Sequence, residues 1–285
     1  EKGFLECMSQ QKERSRSQSD FKISEDNVDW VSNSDDSTST FVGYSDAITD
    51  TKIIQFRKLS DKNYELILDK TPFYAESGGQ ISDIGYIKND ALVIKILDTQ
   101  KKDGNIVHLG ILEEGKITLD QKVSASIDID RRLKIRSNHT ATHLLHESLK
   151  QVIGNHVQQS GSLVSDQKLR FDLTHYEKIT QDQIQEIENQ VNHIIRSNHE
   201  ISTTIQSFDK AKESGAVALF GEKYDDKVRV VDIPGFSKEL CGGTHVSRTG
   251  DIGIFKIISE PSLSTGIRRI EAITGQEVIN RIYDM

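Results

Sequence analysis

The sequence predicts an α+β protein, with a small β-barrel-like subdomain followed by an α+β core. Three observations predict it. From Phe41 to about Asp130, short runs rich in Ile, Val, Leu and Tyr alternate with turn residues. From Arg131 to Met285, helical and strand patterns mix. Ahead of both lies a polar segment, residues 1–40, too poor in apolar residues to bury a core of its own. The division is therefore 1–40, 41–130 and 131–285, and 285 residues suffice for two domains at about 100–200 residues each.

The opening segment reads as a polar helix over Glu1–Ser19, with Phe4, Leu5 and Met8 as its apolar cluster and no capping signal before it. Ser32–Thr40 is a low-complexity linker. The strands expected next are Lys52–Leu59, Tyr64–Asp69, Leu92–Asp98, Ile106–Leu109 and Val123–Ile129. They are punctuated by Asp61-Lys62-Asn63, Gly78-Gly79, Asp103-Gly104-Asn105 and Glu114-Gly115. Ser137 is positioned to cap a helix that runs to about Ile153 and stops at Gly154, with Ala141, Leu145, Leu149 and Val152 as its apolar stripe. Thr180 and Gln183 form a capping-box pattern ahead of a second helix carrying Ile184, Ile187, Val191, Ile194 and Ile195. Val228–Ile233, Gly253–Ser259 and Gly266–Ile273 read as strands.

Charge and cysteine content narrow the function. No run of eighteen apolar residues exists, so no membrane-spanning helix is expected. Two cysteines, Cys7 and Cys241, make no disulfide framework and point to a reducing, cytoplasmic setting. The net charge of −8 argues at first sight against nucleic acid. Residues 1–40 hold five Lys/Arg against nine Asp/Glu, half of that excess. Beyond them, Arg131, Arg132, Lys134 and Arg136 form a basic tract, and Arg268-Arg269 a second pair, both readable as phosphate contacts.

His139-Thr140-Ala141-Thr142-His143 puts two imidazoles at i and i+4 on one face of the expected helix. His146 falls near the same face, so periodicity alone does not choose the pair. Cys241-Gly242-Gly243-Thr244-His245 supplies a Cys and a His four apart, with two glycines that allow a tight turn or close backbone approach. His139, His143, Cys241 and His245 together suit tetrahedral zinc. Thr140 stands where a zinc protease of the HExxH type needs its Glu base, which argues against that chemistry. Three further stretches are unusual: Thr71-Pro72-Phe73-Tyr74-Ala75-Glu76-Ser77-Gly78-Gly79-Gln80, Gln158–Ser162 and Ala218–Tyr224.

Taken in order, TPFYAESGGQ at 71–80, HTATH at 139–143, ALFGEKY at 218–224 and CGGTH at 241–245 resemble the editing domain of alanyl-tRNA synthetases, over roughly Phe41–Met285. The opening segment resembles the helix that precedes this domain in the full synthetase, so the chain reads as an internal fragment, with neither a class II aminoacylation core nor a C-terminal oligomerisation region. The resemblance implies an aminoacyl-tRNA deacylase within an alanine–tRNA ligase, cleaving the ester of Ser-tRNA(Ala) and Gly-tRNA(Ala). A pocket built for a methyl side chain cannot exclude glycine by size and penalises an added hydroxyl only modestly, so a second site must remove the errors. The implied cofactor is Zn2+ on His139, His143, Cys241 and His245. The implied partners are the acceptor end of tRNA(Ala) and the remaining domains of the parent synthetase, with no membrane. Thr71 and Gln80 are candidates beside the amino-acid side chain, and Thr142 and Gln159 line the site by match to the family motif.

Three other readings are distinguishable. A threonyl-type editing domain shares the HxxxH and CxxxH theme but not the TPFYAESGGQ stretch. A non-catalytic tRNA-binding module would use zinc for stability alone. A generic zinc hydrolase would act on small esters without tRNA.

Overall fold

The computed structural model describes residues 29–33, 38–218 and 224–284. The expected opening helix, Cys7, the middle of the linker and most of the Ala218–Tyr224 stretch lie outside the described residues. Among the described residues the architecture is mixed α+β, with a closed six-stranded barrel and four α-helices.

The barrel is built from β3 (Ile48–Lys58), β4 (Asn63–Leu68), β6 (Gly85–Asn89), β7 (Leu92–Lys102), β8 (Asn105–Glu114) and β9 (Lys122–Ile127), with β1 (Val31–Ser32) added to β3 outside the ring and β2 (Thr40–Phe41) pairing β5 (Lys70–Thr71). The ring runs β3-β4-β8-β7-β6-β9 and returns to β3. One long strand closes it. The first half of β3, Ile48–Lys52, pairs with β9, and the second, from Ile53 to Lys58, pairs with β4 across an irregularity at Ile53/Gln55. A bend of this kind lets one strand serve two neighbours and removes both sheet edges. Alternation fills the interior: Leu92, Ile94 and Ile96 on β7 and Val123, Ala125 and Ile127 on β9 meet Ile53, Leu66, Leu68, Phe73 and Ile87.

Helix α1 (Ile129–Ile153) leaves the barrel directly. It starts eight residues before the capping Ser137 expected from the sequence, because Asp128 accepts a hydrogen bond from the Arg131 N–H and the Arg/Lys-rich run that follows is helix-compatible. Ala141, Leu144, Leu145 and Leu149 bury its apolar side against β11 (Leu169–Thr174) and β17 (Ile267–Thr274). Those strands belong to a sheet ordered β10 (Gln159–Val164), β11, β17, β15 (Phe255–Ser259), with β16 (Ser262–Ser264) also on β17. Helix α2 (Gln181–Ser197) covers the same core and carries the expected Thr180/Gln183 capping box. A third sheet, β12 (Ser202–Ser207), β13 (Lys227–Ile233) and β14 (Ser237–Leu240), packs on helix α3 (Phe208–Glu213), and α4 (Gln276–Tyr283) closes the described chain. Among the described residues no helix is long and apolar enough to cross a membrane.

The expected basic tract is not a continuous surface: Lys134 is exposed and Arg136 partly buried, while Arg132 lies inside. Arg132 is fully buried: Nε donates to both Asp83 oxygens at 2.9 and 3.0 Å, Nη1 to Gly43 O and Nη2 to Pro72 O, and Nη2 also pairs with Asp83. Arg131 binds Ser82 O and Asp166, Arg268 pairs with Glu260, and Arg269 with Asp172. Sequence adjacency put these cations together; helical and strand geometry sends each to its own acceptor.

Candidate functional site

Three elements deliver the site. Helix α1 presents His139 and His143, whose rings stack 5.4 Å apart with planes 10° from parallel. The loop after β5 carries Gln80 out of the barrel and docks on β10, with Val164 N–H donating to Gly79 O and Ile81 N–H to Val164 O. The turn after β14 carries Cys241 to His245. Gly243 lies so close to His139 that a Cβ would overlap its ring and the Gln80 amide, so this position requires glycine. The Arg229 guanidinium clamps the turn by donating to Cys241 O and Gly243 O, both at 2.9 Å, and stacks over Tyr44, whose hydroxyl donates to Gly242 O.

One donor atom from each of His139, His143, Cys241 and His245 lies within 4.8 Å of the others. His139 Nε2 and His245 Nε2 each sit 3.3 Å from Cys241 Sγ. Metal–ligand bonds of about 2.0–2.1 Å to nitrogen and 2.3 Å to sulfur give tetrahedral edges of about 3.4–3.6 Å, close to these separations.

The three rings are held from behind. His139 Nδ1 lies 2.7 Å from Gln80 Oε1, His143 Nδ1 2.6 Å from Glu239 Oε2, and His245 Nδ1 3.2 Å from Thr140 Oγ1. The Gln80 oxygen is identified by the Thr244 N–H that donates to it, so it must accept from His139. Carboxylate Oε2 likewise accepts from His143. Both rings are thereby turned with Nδ1–H outward and Nε2 toward the cluster, the orientation a metal ligand needs. His143 Nε2 is buried and has no hydrogen-bond partner among the described residues, so the site has a place for a cation and the donor set suits one.

Electrostatics point the same way. Burial opposes ionisation of Cys241, but the imidazoles of His139, His245 and His143 hold its thiol well below the ordinary range. Burial also opposes charge on Glu239, yet His143 and His146 keep it ionised. Burial lowers the His245 pKa to about 3, against the pull of Cys241. On His143 the burial penalty is overcome by Glu239 and Cys241, which raise it to about 10. Two anionic groups thus share an enclosed space that calls for positive charge.

His139, His143 and Cys241 of the cluster line a cavity of about 300 Å³. Thr142 and Gln159 line it together with Tyr74, Ser162 and Arg229. Gln80 does not line it; it is fully buried and spends its amide on His139 and Thr244. Thr71 is also fully buried, with Oγ1 2.7 Å from His108 Nε2 in the barrel and accepting from Phe73 N–H, and it too is absent from the lining. Sequence reasoning missed Glu239, which bridges His143 and His146, and left His146 without a role. A carboxylate two residues before Cys241 on a strand was the available signal.

Two family models match. Residues 1–131 match that of class II (A) tRNA synthetases, which takes in the segment where no class II region was expected, and 228–271 match the threonyl and alanyl tRNA synthetase second additional domain. Alanine–tRNA ligase of Legionella pneumophila (strain Lens) is 47% identical over 281 residues, 96% of this chain and 32% of that protein. Those of Pseudoalteromonas translucida (strain TAC 125) and Thermoanaerobacter sp. (strain X514) are 46% and 44% identical, over 98% and 100% of this chain. The chain spans about a third of the length of these relatives. With identity at this level along nearly all of its length, the chain belongs to the alanine–tRNA ligase family.

Proposed function

We propose that this chain is an editing unit that hydrolyses the ester joining serine or glycine to tRNA(Ala). The observation that carries the reading is the convergence of three tethered imidazoles and one thiolate, of which His139, His143 and Cys241 line a cavity of about 300 Å³. His139, His143, Cys241 and His245 would hold a zinc ion, which, when bound, supplies positive charge to orient and polarise the aminoacyl end. The chain's own residues do the rest. Gln80, Glu239 and Thr140 fix the direction of the three rings. Thr142 and Gln159 border the bound amino acid, and Thr71 supports the barrel side from which the Gln80 loop departs. Four protein ligands fill the usual tetrahedral count, so we assign the metal to positioning rather than to generating the nucleophile.

The chain would act with the acceptor end of tRNA(Ala) and with the other domains of a parent ligase. The division at 41–130 and 131–285 goes with this proposal, the barrel supplying the Gln80 loop and the later region supplying the ligands. Most tRNA affinity would come from elsewhere in the ligase, because Arg131, Arg132, Arg268 and Arg269, four of the six cations that sequence offered for phosphates, are paired internally.

The test is deacylation of Ser-tRNA(Ala) and Gly-tRNA(Ala) by the purified chain, with a full-length relative as control. Hydrolysis of both is expected, and its loss in metal-stripped protein that keeps its circular dichroism spectrum. Full activity without metal would remove the ion from the model. Binding without hydrolysis would favour a tRNA-binding module, preference for Ser-tRNA(Thr) a threonyl-type domain, and turnover of simple esters a small-molecule hydrolase.

A further inference from the structure

Beside the four clustered residues stands a fifth side chain of unusual situation. His146 lies one helical turn beyond His143, is only 3% exposed, and lines the same cavity. Its Nδ1 sits 3.0 Å from Glu239 Oε1, the oxygen not used by His143. A carboxylate oxygen accepts, so Nδ1 carries a proton, and the neutral tautomer of that ring has its lone pair on Nε2. That Nε2 is buried and has no partner among the described residues. It is outside the group of four whose donor atoms converge. A buried acceptor left unpaired is costly, and one at a cavity wall is an invitation to a donor on the occupant.

We propose that His146 Nε2 is the specificity acceptor of this cavity, reading the side chain of the aminoacyl ester; this rests on the editing function proposed above. The substrate class offers three kinds of donor: the α-ammonium, the ribose hydroxyls and, for serine, the side-chain hydroxyl. The ammonium is better served by a carboxylate, and Asp225 borders the cavity. A neutral imidazole lone pair suits a neutral hydroxyl. Serine pairs Nε2 directly. Glycine leaves the space of a hydroxymethyl group, enough for a water that donates to Nε2 in its place. Alanine does neither: its methyl displaces the water and leaves Nε2 buried without a donor. One acceptor thus accepts the larger and the smaller residue and refuses the one between them, which size alone cannot do.

The experiment separates Nε2 from the structural duty of Nδ1. His146→Asn keeps an amide N–H for Glu239 near the Nδ1 position and has nothing at Nε2. His146→Gln reaches the Nε2 position with an acceptor oxygen. Single-turnover hydrolysis of Ser-, Gly- and Ala-tRNA(Ala) is measured for wild type and both variants. Binding of 3′-seryl-, glycyl- and alanylamino-3′-deoxyadenosine is followed by calorimetry. His146→Asn should lower the serine-to-alanine ratio by about 10-fold or more in both measurements, the scale of one buried unpaired acceptor. His146→Gln should recover most of the ratio at equal folded concentration, and zinc content and thermal unfolding of His146→Asn should match wild type. A ratio unchanged in His146→Asn, or an equal loss for all three amino acids, overturns the proposal. Wild-type chain that neither hydrolyses nor discriminates, while the full-length control does, would instead remove the editing reading.

Discussion

The barrel interior and the cavity wall treat buried imidazoles in opposite ways. In the barrel, His108 is fully buried with both nitrogens engaged: Nδ1 with Leu66 O at 3.1 Å and Nε2 with Thr71 Oγ1 at 2.7 Å. At the cavity, His143 and His146 each have Nδ1 on Glu239 and an Nε2 without a partner among the described residues. An imidazole satisfied at both ends contributes to the fold. One satisfied at a single end is oriented by the fold for something that arrives later. The joint between the regions follows the barrel's rule: Arg132 and Asp83 satisfy each other in full burial where α1 leaves the barrel.

The largest effect should come from breaking that joint. Arg132→Ala strands the Asp83 carboxylate and frees Gly43 O and Pro72 O, and should destabilise the chain by about 3–5 kcal/mol. Urea denaturation at neutral pH measures it. A loss under about 1 kcal/mol would mean that the joint is not held by this pair, a size typical of exposed pairs instead.

His108 gives the next effect, with a sign set by burial. Burial lowers its pKa to about 4, against a smaller opposing pull from Leu66 O, while the unfolded chain titrates near 6.5. The unfolded state therefore binds the extra proton between those values. Stability is fully present above about pH 6.5, falls as the pH drops towards 4, and levels off below; the difference is about 3 kcal/mol at 1.36 kcal/mol per pH unit. His108→Gln abolishes this dependence. The wild-type minus variant stability, followed from pH 7 to 4 by urea titration, should fall by that amount. A flat difference would show that water reaches His108, and the contrast with the cavity would lose its barrel half.

The same contrast explains what was legible in the sequence. Strand and turn chemistry located β3, β4 and β7 to β9, and the capping box located α2, because these depend on residues close in sequence. Barrel closure was not legible: it depends on Ile48–Lys52 meeting β9 some seventy residues on, and no local pattern encodes a partner. The HTATH and CGGTH spacings named the four residues that converge. Of the groups that aim them, Thr140 stands inside HTATH and Glu239 two residues before Cys241, but a single hydroxyl or carboxylate has no periodic signature that assigns it a role. Arg132 misled for a related reason. Charge in a sequence advertises a surface, and only the position of Asp83, forty-nine residues earlier, shows that this one is inside.

Lys134 supplies the smallest effect and the sharpest control. It lies two residues after Arg132, hence about 200° around α1 at 3.6 residues per turn, on the opposite side of the helix. Its side chain is 52% exposed, and its ammonium meets Glu277 at 3.5 Å, a pair open to solvent. Lys134→Ala should change stability by no more than about 0.5 kcal/mol. If Lys134 touches a phosphate of bound tRNA, the same substitution should lower the salt slope of binding by about one, whatever the base sequence. An Arg132 variant, by contrast, should lose binding only in proportion to the fraction unfolded. Comparing the two at equal folded concentration turns a tract that looked uniform in sequence into one buried strut and one exposed cation. Equal salt-slope losses in both variants would return Arg132 to the surface and undo the distinction.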